Sequence, residues 1–209
     1  MTVVEALAAF TVAAGLLTVT PGLDTALVLR TAAAEGPRHA AGAALGVCLG
    51  VVCWGTLVAL GLGAVLAASP LAFEVLKWAG AAYLVWLGVR LILKPRPHFG
   101  LAAVAPGPER SNLGWLLRGM ANNLLNPKTG AFYVSFLPQF VPTGIPAAPF
   151  MILLACAHAL MGGAWFAVLI GATRPIGRVL RRSATVRWLD RITGGVFVGF
   201  GLRLAFERR

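Results

Sequence analysis

Two ionisable residues, Asp24 and Lys128, lie deep inside apolar runs of a chain that keeps most of its other charges in the gaps between such runs or near their ends. Each stands beside a proline, in Thr20-Pro21-Gly22-Leu23-Asp24 and in Asn126-Pro127-Lys128. An ionised side chain at mid-membrane costs at least ~2.5–3.5 kcal/mol on insertion scales, so one that persists there is paired or functional. Thr or Asn before a proline is the order expected where a helix begins. Within a helix, proline removes a backbone donor and clashes with the carbonyl four residues back. In hydrocarbon every polar group orphaned in this way must be satisfied by protein or trapped water. Paired breaks are therefore expected to line a polar cavity at mid-depth rather than face lipid. There Asp24 would attract an ammonium group or carry a coupling proton. Lys128, with the free N–H groups of the half-helix starts, would attract a carboxylate. Thr20, Pro21, Gly22, Asp24, Asn123, Asn126, Pro127 and Lys128 are the expected substrate-site residues. The alternatives are two plain proline kinks, and a buried Asp24–Lys128 salt bridge that only locks helices together.

Other polar residues in the apolar runs carry less. Asn122 and Asn126 are four apart and share a helix face, and with Asn123 they either line the cavity or bond across helices. His158 could relay protons or simply make an interhelical bond. Gln139, after Pro138, reads as interfacial. Gly42, Gly46 and Gly50 form a ridge of small residues that lets another helix approach closely. Cys48, Cys53 and Cys156 all fall inside apolar runs without a C-x-x-C, and read as small buried hydrophobes.

Composition indicates which elements hold these groups. The 209 residues are 58% hydrophobic and only 12% charged, with a mean hydropathy of +0.81. A soluble domain spends about a quarter of its residues on charge, so an integral membrane protein is indicated. The net charge of +11 does not indicate nucleic acid, because the basic residues sit in short connectors and not on one folded face. A spanning helix needs about 20 mostly apolar residues. Six candidates run over 3–34, 40–67, 71–93, 113–140, 147–173 and 186–206. The start of the chain has no Lys or Arg before its apolar run and carries Glu5, so the first segment reads as a retained span and not a secretory signal.

Connectors 1–2, 3–4 and 5–6 and their flanks hold thirteen Lys and Arg residues against four on the opposite side. The positive side is the cytoplasmic one, which places both termini away from the cytoplasm. The stretch 94–112 is rich in Pro, Gly and charge and reads as a cytoplasmic loop between a first three-helix unit, 1–93, and a second, 113–209. KWAGAAYLVWLGVR (77–90) and RITGGVFVGFGLR (191–203) share basic, small and aromatic positions. Three spans per unit is an odd number, so a repeat would be inverted in the membrane. The expected fold is an all-α integral membrane protein of six transmembrane helices, arranged as two inverted three-helix repeats with helices 1 and 4 broken.

TPGLDTALVLR (20–30), LKWAGAAYLVWLGVRL (76–91) and NLLNPKTGAFYVSFLPQFV (123–141) resemble the hallmark segments of the LysE/RhtB family of bacterial inner-membrane amino-acid exporters. The resemblance spans nearly the whole chain in order. It implies a six-span bundle of inverted halves that exports amino acids in exchange for protons; no cofactor or metal is expected. The family's Pro-Gly motif falls on Pro21 and Gly22, its Asn-or-Asp position on Asp24, and its Asn-Pro-Lys motif on Asn126, Pro127 and Lys128. Leu23 departs from it, since the family commonly has a second proline there. The expected partners are an amino acid, a proton and membrane lipid, with self-association left open. A cation or metal exporter is the alternative within transport, although the mid-span ligand types Asp24, His158 and the cysteines are scattered along the chain. An intramembrane hydrolase would need a nucleophile beside a base, or an HExxH cluster, and the sequence has neither spacing. A non-transport assembly protein would not need charged breaks at mid-depth.

Overall fold

The computed structural model describes residues 1–68, 70–95, 111–173 and 183–206. Most of the 94–112 loop and the arginines at 174–182 lie outside the described residues. Among the described residues the regular structure is all helical: α1 (Val3–Val19), α2 (Leu23–Ala34), α3 (Pro37–Ala68), α4 (Pro70–Leu93), α5 (Asn112–Leu124), α6 (Pro127–Phe136), α7 (Ala147–Gly171) and α8 (Ser183–Phe206). A 3-10 turn, Leu137–Phe140, extends α6.

The helix starts follow local chemistry. Thr2 and Glu5 close a capping box on α1, and the Ser111 hydroxyl accepts from Gly114 N at the start of α5. Two turns need the left-handed backbone that favours glycine: Gly36 (φ +88°) before α3, and Gly144 (φ +82°) shortly before α7.

Pro37–Gly61 of α3 and Ala147–Gly171 of α7, 25 residues each, are long and apolar enough to cross a bilayer. Helices α1 and α2 pass together as one span bent by 50°. Helices α4 and α8 have 24 residues each, or about 36 Å at about 1.5 Å per residue.

Glycines set the close crossings. A Cβ placed on Gly42 would stand 3.1 Å from the Asn112 carbonyl oxygen, and one on Gly50 2.8 Å from Asn123 Oδ1. A Cβ on Gly46 would overlap the Leu116 carbonyl, and one on Gly119 the Ala43 carbonyl. The ridge foreseen in the sequence is thus the seat of α5, and because its contacts advance together along both helices, α3 and α5 run parallel. Against α7 the order reverses: Gly55 meets Ala155, while Cys48 lies beside Gly163, so α3 and α7 are antiparallel. The most extensive packing joins α4 to α8. Its contacts, Gly88 to Val198 and Gly194 to Leu91 and Ile92, also run in opposite senses.

The aromatic rings gather in one cluster. Phe10 of α1, Phe132 and Phe136 of α6, Phe140 of the 3-10 turn and Phe197 of α8 are all buried in it. Ring centroids lie 5.4 Å apart for Phe10 and Phe140 and 5.0 Å for Phe132 and Phe136.

Candidate functional site

Between α1 and α2 the chain is extended at Thr20 and again at Gly22. The sequence suggests Thr20 as a helix-starting cap, and the structure corrects this. Thr20 is the C-cap of α1, and α2 begins three residues later at Leu23, behind Gly22, without a side-chain cap. The Thr20 hydroxyl turns back to the Leu16 carbonyl at 2.6 Å and also meets the Thr193 hydroxyl of α8. Leu23 occupies the first position of α2 and Asp24 the second, so the carboxylate lies in the first turn, where the helix dipole favours negative charge.

The second break follows the sequence expectation. Asn126 is the N-cap of α6 with Pro127 at its first turn, and Asn126 Oδ1 accepts from Lys128 N at 3.1 Å. The Asn126 amide simultaneously donates to Asp24 Oδ2 at 3.0 Å. Asn122 donates to Asp24 Oδ1 at 2.6 Å, and Asn123 to Oδ2 at 2.9 Å. Three amides from the α5–α6 region therefore hold one carboxylate from α2, through bonds of 2.6–3.0 Å.

Lys128 reaches in the opposite direction. Its Nζ donates at 3.0 Å to the carbonyls of Leu17 and Thr20. These are last-turn groups of α1, which lack intrahelical partners because the helix stops. The ammonium thus caps α1, and the favourable charge at a helix C-terminus adds to the bonds. Each break is completed by groups from the other.

Asp24 and Lys128 line one cavity of about 50 Å³, together with Thr20, Gly22, Asn123, Asn126, Cys48 and His158. Pro21 is buried, and Pro127 is exposed. His158, 5% exposed, is bonded at both ring nitrogens: Nδ1 to the Tyr133 hydroxyl at 3.0 Å and Nε2 to Thr18 Oγ1 at 3.1 Å. Thr18 gives its own hydrogen to the Ala14 carbonyl at 2.7 Å. It therefore accepts from Nε2–H, and Nδ1 accepts from Tyr133.

A second cavity, of about 200 Å³, opens between α2 and α5, lined by Arg30, Glu35, Trp115, Arg118 and Asn122 among others. Asn122, whose sequence signal was only its helix-face match to Asn126, makes the shortest bond to Asp24. Thr193, Tyr133 and Thr18 carry no local sequence signal, because their partners lie 173, 25 and 140 residues away.

The chain matches the family described as "LysE type translocator" over residues 16–208. It is 33% identical to an uncharacterized membrane protein of Vibrio cholerae, over 94% of this chain and 95% of that one. It is 30% identical to a leucine efflux protein of Enterobacter sp., over 94% and 93%. It is 28% identical to a homoserine/homoserine lactone efflux protein of Salmonella typhi, over 96% of each. No solved structure matches it. The chain belongs to the LysE-type translocators and is a membrane transporter rather than an enzyme.

Proposed function

We propose that the protein exports an amino acid or a close derivative across the bacterial inner membrane, in exchange for protons, with the substrate held at mid-depth between the two helix breaks. One observation carries this reading. Asp24 and Lys128 come from different breaks, are each held by backbone or amide groups of the opposite break, and line the same cavity. A carboxylate offers about four acceptor sites, and three are taken by amides, which leaves capacity for a substrate ammonium. Lys128 is the pole for the substrate carboxylate. The leucine and homoserine efflux relatives move molecules with an amino group, which suits this arrangement. Asp24 carries the coupling proton in this reading, and His158, on the same cavity wall, relays it.

The architecture that goes with this function is six spans in two inverted halves, 1–93 and 113–209, joined by the 94–112 loop on the cytoplasmic side with both termini opposite. Supporting it are the two breaks at matching places, and the antiparallel packing of α3 on α7 and of α4 on α8, each the pairing of equivalent helices. A cation exporter would need converging ligands, and among the described residues no three His, Cys, Asp or Glu side chains gather.

The test is expression in cells lacking their own exporters, challenged with dipeptides of each amino acid. Release of one amino acid, or a small group, above control cells is expected. No enhanced release of any of them, with membrane expression confirmed, would sink the proposal. Asp24→Asn separates the roles of the carboxylate: residual transport with unchanged pH dependence would rule out proton carriage by Asp24.

A further inference from the structure

The central cavity, at about 50 Å³, has room for a few waters and not for an amino acid. The cavity between α2 and α5 is about 200 Å³. The two share a wall, because Asn122 lines the larger one and donates to Asp24, which lines the smaller. The larger cavity lies toward the 34–37 turn and the start of α5, the arginine-rich end of the bundle. Toward the other end, the Phe10, Phe136 and Phe140 rings pack over one another.

The larger cavity is chemically matched to a zwitterion. Arg30 and Arg118 supply guanidinium groups from two helices, and Glu35 a carboxylate. The Arg118 guanidinium lies 5.3 Å from the Trp115 ring centroid, which orients its planar fork. Trp115 is 7% exposed, and its indole N–H is buried without an acceptor. A carboxylate is the ligand that a guanidinium fork recognises.

Resting on the export reading above, we propose that this cavity is a loading subsite, where an amino acid arriving from the cytoplasm is first held by its carboxylate. The Asn122–Asp24 hydrogen bond is the latch that its ammonium group must displace to reach the central site. Arg118, oriented by Trp115, reads the carboxylate, and Glu35 lines the same cavity for the amino group. Passage inward then exchanges an amide donor on Asp24 for an ammonium donor, so the carboxylate keeps its bonds while the wall opens.

Uptake of the exported amino acid into everted membrane vesicles tests this, because their outer face is the cytoplasmic one. Arg118→Gln is expected to raise the half-saturating concentration of the free amino acid about tenfold, the loss of one charged hydrogen bond. The same substitution should leave the carboxamide derivative of that amino acid within about twofold, since it presents no carboxylate. Arg90→Gln, an exposed arginine on α4 stacked over Trp86, controls for loss of a charge at this end. Equal shifts for acid and carboxamide, or no shift for either, would overturn the subsite. Absence of uptake by the unsubstituted protein would instead sink the export reading itself.

Discussion

The two helix breaks look alike in sequence and are built differently. The second supplies its own helix cap: Asn126 caps α6 with its own side chain and Pro127 starts the helix. The first has no cap of its own. Gly22 offers no side chain to α2, and the carbonyls at the end of α1 are met by Lys128 from the second break. The second break thus caps its own helix, whereas the end of α1 depends on a side chain from the second break and on Thr193 of α8.

The largest effect expected from this asymmetry is at Lys128. Lys128→Met leaves the Leu17 and Thr20 carbonyls without their ammonium donor, at about 1–3 kcal/mol for a buried unsatisfied group. Thermal unfolding in detergent should show a clear loss of stability, with transport abolished; Lys128→Arg, which keeps charge and donors, should recover part of the stability. An unchanged midpoint in Lys128→Met would mean that the first break supports itself.

Next comes the platform behind the amides. Gly46→Ala sets a methyl group onto the Leu116 carbonyl, and such overpacking costs typically about 1–3 kcal/mol. Separation of α3 from α5 should displace Asn122 and Asn123 and weaken transport along with stability. At the second break, Asn126→Ser keeps a capping oxygen but removes the bond to Asp24. Stability should fall by less than the cost of about 1 kcal/mol expected for Asn126→Ala, which loses the cap as well. The smallest effect belongs to Leu23→Pro. Leu23 is at the first position of α2, where a proline is accommodated because the N–H has no intrahelical partner. A shift in the unfolding midpoint of under about 0.5 kcal/mol-equivalent is expected there.

Much of this could be read before any coordinates. An ionisable residue beside a proline inside an apolar run violates two local rules at once, and Asp24 and Lys128 both line the cavity those violations suggested. The glycine ridge was legible because spacing by four defines a helix face. Thr20 misled because Thr-Pro has the same order as Asn-Pro. What distinguishes them is Gly22, which lets α2 start later and leaves the Thr20 hydroxyl to bond backward. Asn122 could not be ranked above Asn123, since its partner is 98 residues away. The bonds of Thr193 and Tyr133 likewise exist only once helices pack.

The pairing of opposite poles from opposite breaks is tested most directly by equilibrium binding to the purified protein. The ligands are the exported amino acid and its N-acetyl derivative, measured on the unsubstituted chain and on Asp24→Asn. The unsubstituted protein should bind the free amino acid at least tenfold more tightly than the acetylated form, and Asp24→Asn should lose most of that preference. Asp24→Asn binding the amino acid with full affinity and undiminished discrimination would contradict a substrate ammonium held by Asp24.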